Sequence, residues 1–313
     1  MAEHERSVVS AVIRSGEYVA VVAHTAAALA ALTYRGRDLV VPFAPEAPIP
    51  DYRGIIAAPW PNRLVDGRYR VDGREFAVRV NEAERGCALH GLAFGRKWVL
   101  AAHDDASATF ALDLGPCAGY PYQLRLEAVY ALRAPEPGDP GGLTWSVRAV
   151  NSGEETAPYG VCPHPYLVAG PSPLDSWELG LPAEQFLEVT SERMLPLGLR
   201  RVAGHPFDFC EPRPIGSVEI DHAFTGVRFD SDGMARVTLR DPAGNGVGMA
   251  WDGTCPWVQI HTADKRPPAP NRLGLAVEPM TCPPNAFASG TDLVWLSPGE
   301  EHVARWRIYM LEA

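Results

Sequence analysis

The chain has 313 residues and a formal net charge of −10, with 46% hydrophobic and 21% charged residues. That balance excludes wholesale disorder. The acidic surplus excludes nucleic acid and anionic membrane surfaces as partners, since both call for a basic face. Six cysteines (Cys87, Cys117, Cys162, Cys210, Cys255 and Cys282) stand 27 or more residues apart, so no C-x-x-C zinc or thioredoxin-like motif exists. The N-terminal MAEHERSVVSAVI has neither a basic n-region nor an apolar h-region, and no apolar run approaches the ~20 residues of a membrane span. These features predict a cytoplasmic protein.

Taken in chain order, the first strand signal covers residues 18–22. Residues 23–32 are Ala-rich with a trace of helical spacing, but they run into Tyr34-Arg35-Gly36-Arg37-Asp38, which reads as a hairpin, so they are assigned as β. Further strand-like runs follow at 38–41, 76–80, 97–101, 108–114, 123–132, 143–150, 235–239, 246–250, 257–262, 273–278 and 303–309. In Leu124-Arg125-Leu126-Glu127-Ala128-Val129 and Leu143-Thr144-Trp145-Ser146-Val147-Arg148 apolar and polar residues alternate, the period of a strand with one solvated face. Turn signals such as Val71-Asp72-Gly73, Asn151-Ser152-Gly153 and Asp241-Pro242-Ala243-Gly244 separate the runs. Residues 135–142, rich in Pro and Gly, are the candidate mobile insertion. Many short strands with no linker or repeat predict an all-β antiparallel sandwich, with residues 1–313 forming a single domain.

Five segments carry residues suited to chemistry. In Pro59-Trp60-Pro61-Asn62-Arg63 two prolines stiffen the chain before an amide and a guanidinium, donors that suit sugar hydroxyls. The competing reading of Arg63 is a surface ion pair. In Leu89-His90-Gly91 the glycine lets another group approach the imidazole, while a core histidine on a carbonyl is the bland alternative. His164 stands between Pro163 and Pro165, which hold it on stiff, extended backbone; the alternative is a packed turn. Asp221, in Ile220-Asp221-His222-Ala223-Phe224, is either a hydroxyl acceptor or a turn cap, and His222 is a candidate third imidazole. In Leu273-Gly274-Leu275-Ala276-Val277-Glu278 strand alternation puts Glu278 on one face with Gly274 and Ala276, leaving space for a ligand above the two small residues. A carboxylate so placed is seldom there for stability.

Together, and in this order, the five segments resemble the aldose 1-epimerase (galactose mutarotase) family over nearly the whole chain. The resemblance rests on Pro61-Asn62-Arg63 leading to Gly67-Arg68-Tyr69, on Leu89-His90-Gly91 with Trp98 beyond it, on His164-Pro165-Tyr166, on Asp221, and on Glu278 followed by Pro283-Pro284-Asn285. Pro163 stands where many members carry Asn, Leu92 replaces the second of paired glycines, and Pro284 replaces an Asp. These departures are similar to a divergent bacterial subgroup.

The resemblance implies a large galactose mutarotase-like sandwich acting on a small-molecule sugar, with no metal or redox cofactor. It implies Glu278 as the base at the C1 hydroxyl and His164 as the acid at the ring oxygen. Asn62, Arg63, His90 and Asp221 would bind hydroxyls. Trp60 and Trp257 are candidate platforms for the sugar's apolar face, and His261 lies on a strand near them. Three rivals stand beside this reading. A carbohydrate-binding protein without catalysis would use Arg63 and Asp221 alone. A glycoside hydrolase would use Asp221 and Glu278 as paired carboxylates. An epimerase of phosphorylated or sulfonated sugars would need a further cationic pocket, with Arg68, Arg96 and Lys97 as candidates.

Overall fold

The computed structural model describes residues 10–313. Alternating burial along its strands builds two facing sheets. In Leu124–Arg133 every second residue is buried, and Gly142–Asn151 pairs with it over its full length. These two strands sit in a nine-stranded antiparallel sheet that also includes Ser107–Leu114, Glu301–Leu311, Gly246–Asp252 and Met234–Arg240. A six-stranded antiparallel sheet runs in the order Tyr166–Leu167, Leu275–Met280, Trp257–His261, Asp221–Val227, Ala183–Val189 and Pro196–Arg201. A four-stranded sheet made from Ser10–Ser15 to Arg37–Asp38 packs beside them. Among the described residues the only α-helix is Ala286–Ser289, and no helix is long and apolar enough to cross a membrane.

One core cluster extends from Ala11 to Met310 and joins the inner faces of both large sheets. Trp98, Trp145, Trp177, Trp251 and Trp306 are fully buried. The Trp306 indole N–H donates to the Pro279 carbonyl at 3.1 Å, linking the large sheet to the strand that carries Glu278. An all-β sandwich is therefore what the alternation predicted, and several strand positions agree closely.

Local differences have identifiable causes. In the 23–32 stretch Ala26 and Ala27 take positive φ values of 61° and 45°, so neither helix nor continuous strand forms: pairing stops after Ala23 and resumes at Leu29–Tyr34. The 38–41 run pairs as a strand only at Arg37–Asp38, after which Val40 bridges singly to Leu167. The 135–142 hairpin, expected to be mobile, is fastened to the body. Asp139 accepts from Arg133 and Arg307, and the Tyr18 hydroxyl donates to the Pro140 carbonyl at 2.9 Å.

Candidate active site

The site lies on the face of the six-stranded sheet turned away from the main core. Cross-strand register aligns Tyr166 with Ala276, Glu278 with Gln259, and His261 with Asp221. Because side chains alternate, these polar groups share one face. Leu275, Val277, Val258, Ile260 and Phe224 occupy the other and join the core. The segments around Asp51–Arg63 and Glu82–His90 roof the polar face. Between roof and sheet is a cleft of about 280 Å³ lined by Asp51, Tyr52, Asn62, Arg63, Arg85, Leu89, His90, His164, Tyr166, Asp221, His261, Asp264, Lys265 and Glu278. That is close to the low end of the ~300–1,000 Å³ usual for small-ligand pockets. A roomier hollow of about 800 Å³ beside Val12 and Asp104 is lined by ionisable groups that are all exposed, so it offers no preorganised chemistry.

All six candidate residues come together in this cleft. His164 Nε2 stands 3.3 Å from Glu278 Oε1, with both side chains buried. The stiff backbone expected for His164 is present: its N–H donates to the Ile55 carbonyl at 3.1 Å and its carbonyl accepts from Gly54 at 2.8 Å. The Tyr166 ring stacks beneath its imidazole at 5.4 Å. His90 lies edge-on to His164, ring centroids 4.8 Å apart, and takes a positive φ of 60°. The following glycine is required there, because a Cβ on Gly91 would lie 2.2 Å from the Ala58 carbonyl oxygen. That same carbonyl accepts from the N–H groups of Leu92 and Ala93, at 2.7 and 2.9 Å.

Asn62 also has a positive φ, 53°, a conformation its short side chain tolerates, and its Oδ1 accepts from the Arg63 backbone N–H at 2.8 Å. The Arg63 guanidinium is neither a surface pair nor free. It is 8% exposed and forks onto Glu82 at 2.9 and 3.0 Å, with Asp221 Oδ2 at 3.7 Å. Asp221 in turn accepts from Gln259 Nε2 at 2.7 Å.

Burial sets the protonation of the floor. It raises the Glu278 carboxyl well above its usual range, with the Asp221 charge acting in the same direction. It also lowers the His164 imidazole to about 3 and the His90 imidazole well below the usual histidine value. The His164–Glu278 contact has the spacing of an ion pair, yet desolvation of both partners favours the neutral acid and neutral imidazole. Burial also opposes ionisation of Asp221, but His261, Arg63, Arg85 and the Gln259 hydrogen bond outweigh it and hold that carboxyl below its ordinary value. Two carboxyls in one cleft are thus tuned apart, Glu278 as acid and Asp221 as anion.

Several expectations need correction. Trp60 and Trp257 form no platform: both are buried, their indoles bonded to the Ala88 carbonyl and to Asp292, and neither lines the cleft. The aromatic groups at the site are Tyr52 and Tyr166. No ligand space exists above Gly274, where an added Cβ would meet Val41 Cγ2 at 2.5 Å, and Ala276 packs with Val41, Tyr166 and Ala263. Arg68, Arg96 and Lys97 are exposed and lie outside the cleft. His222 packs against Phe186 and Phe207 instead of facing the site. Sequence reasoning missed Glu82, Arg85, Asp51, Asp264 and Lys265, whose short-range context carries no signal beyond ordinary surface charge.

Comparison with known proteins converges on one group. The family described as aldose 1-epimerase matches residues 10–309. The chain belongs to this family. An uncharacterized protein of Escherichia coli K12, YihR, is 35% identical over 297 residues, covering 95% of this chain and 92% of its own. The galactose mutarotase of Rattus norvegicus is 30% identical over 172 residues, covering 53% of this chain and 47% of that protein. Among solved structures, an aldose epimerase homologue from C. elegans superposes with a TM-score of 0.82 at 18% identity, covering 96% of this chain and 98% of that one. Galactose 1-epimerase from Lactobacillus acidophilus gives 0.77 at 16%, covering 95% and 92%. The chain therefore has the galactose mutarotase-like β-sandwich fold of this family.

Proposed function

We propose that the protein interconverts the α and β anomers of a free, uncharged aldose by general acid–base ring opening and closure. The observation that carries this reading is the 3.3 Å approach of His164 Nε2 to Glu278 Oε1 at the floor of a cleft lined by polar and charged side chains. Opening a hemiacetal removes a proton from the C1 hydroxyl and delivers one to the ring oxygen, as the C1–ring oxygen bond breaks. The aldehyde turns about C1–C2 and recloses on its other face.

One acid and one base suffice, and the pair holds the single proton this requires. At rest, burial favours that proton on Glu278. Transfer to His164 Nε2 produces a carboxylate to accept from the C1 hydroxyl and an imidazolium to donate to the ring oxygen. A sugar hydroxyl donating to Glu278 favours the charged state, as hydrogen bonds to a carboxylate do. Arg63 and the Asn62 amide would donate to neighbouring hydroxyls, ionised Asp221 would accept from others, and His90 would border the ring oxygen.

The charges around the cleft favour an uncharged substrate. Among the described residues, each Arg or Lys that lines it is already paired, Arg63 and Arg85 with Glu82 and Lys265 with Asp51. A phosphate or sulfonate would have to displace one of these carboxylates. Polarimetry of a freshly dissolved aldose tests the proposal. Glu278→Gln and His164→Asn should each lose ~10²–10⁴ of the catalysed rate. Near-normal mutarotation in either variant overturns the assignment. Sugar binding without anomerisation would favour a non-catalytic role, and release of sugar from an aryl glycoside would favour a hydrolase.

A further inference from the structure

The floor of the cleft is also a metal-ligand set. His90, His164 and Glu278 each offer one ligand atom, and these atoms lie within 4.8 Å of one another. Zinc at ~2.0–2.1 Å from nitrogen and oxygen holds tetrahedral ligand atoms about 3.3 Å apart. His164 Nε2 and Glu278 Oε1 already stand 3.3 Å apart. The remaining approach of His90, at most about 1.5 Å, is within reach of small side-chain rotations. Two imidazoles and one carboxylate form a three-ligand zinc set whose fourth position stays open, here towards the cleft.

The surroundings define what kind of site this is. Both imidazoles and the Glu278 carboxyl are buried at the cleft floor. Nδ1 of each imidazole is buried without a hydrogen-bond partner. Ligating histidines in tightly held sites usually donate their second N–H to a carbonyl or carboxylate, and loss of such a partner costs ~10–100-fold in affinity. Binding here would be reversible, suited to inhibition and not to a resident cofactor. The nitrogen content favours zinc, copper or nickel over magnesium and calcium, which take oxygen ligands.

We infer that a divalent transition-metal ion binds His90, His164 and Glu278 and silences the enzyme by occupying its acid–base pair. The inhibitory half rests on the proposed anomerisation; the binding half does not. Coordination takes up the Glu278 carboxylate and the His164 imidazole together, so neither is left to exchange a proton with a sugar.

Calorimetric titration of the chelator-treated full chain with zinc chloride reads affinity and stoichiometry. One ion per chain is expected, with mutarotation falling in step with occupancy and returning on addition of EDTA. Glu278→Gln and His164→Asn should each weaken binding at least about tenfold, whereas Cys117→Ser, which removes the exposed thiol, should leave it unchanged. Circular dichroism establishes that each variant is folded. Independently of any variant, saturating sugar should raise the apparent zinc Kd of the wild type. No binding up to millimolar zinc, or equal binding in wild type and folded variants, overturns the inference. Zinc binding as described in a protein with no mutarotation would keep the metal site and overturn the proposed function instead.

Discussion

The two faces of the six-stranded sheet are built from the same strands and do opposite things. On the inner face Leu275, Val277, Val258 and Ile260 are fully buried and merge with the core. One residue along, Glu278 and Gln259 are nearly as buried but polar, and Glu278 is held against His164 rather than against oil. Burial therefore stabilises on one side and works against charge on the other. The inner face gains from removing apolar area from water, about 25 cal/mol per Å². The outer face carries the cost of desolvating ionisable groups, and that cost is what separates the protonation states of Glu278 and Asp221.

The contrast can be broken at several points. The largest effect should come from the acid–base pair taken as a unit. A Glu278→Gln/His164→Asn double variant should turn over no more slowly than its slower parent, because groups that act together are not additive. Multiplicative losses in polarimetric rates would mean that the two residues act separately.

On the inner face, Ile260→Ala should cost ~2–5 kcal/mol of stability by urea denaturation while leaving kcat of the surviving folded protein near wild type. A collapse of kcat at unchanged stability would show that the two faces are not independent. Asp221→Ala removes a charged hydrogen-bond acceptor and should raise KM by roughly 10–100-fold, the equivalent of ~1.5–3 kcal/mol. An unchanged KM would remove Asp221 from substrate binding.

A pH series sharpens the comparison further. The folded-state value of Glu278 is raised, so the folded protein keeps a proton that the unfolded chain releases. The stability linked to it is complete below the ordinary carboxylate value and declines as pH rises towards and through the folded value. Gln cannot ionise, so the Tm of Glu278→Gln should gain on wild type steadily between acidic and alkaline pH. A constant difference would mean that Glu278 is not raised. The smallest effect is expected at the rim. Lys265→Ala should change KM by less than about fivefold, since its charge is already committed to Asp51 and such pairs contribute ~0–1 kcal/mol. A larger loss would favour an anionic substrate.

What the sequence disclosed follows the same division. Period-two alternation locates strands, and with them the direction of Glu278, because the rule depends only on neighbours along the chain. Flanking prolines likewise mark His164 as held rigidly. Packing across the sheet is invisible to such rules. Nothing near Gly274 in sequence indicates that Val41 fills the space above it. The indoles of Trp60 and Trp257 find partners at Ala88 and Asp292, far along the chain, and so are drawn away from the cleft. Glu82 and Arg63 are 19 residues apart, and only the folded roof reveals their pairing.

The cleft draws its walls from Asp51 at one extreme to Glu278 at the other, with contributions from six further stretches between. Contacts of such long sequence separation give a high contact order, and loop-closure entropy must be overcome before they form. Catalytic competence should accordingly be among the last properties regained on refolding, trailing the recovery of strand signal. No fragment that ends before the late carboxylate strand could complement itself into activity without the missing piece supplied in trans.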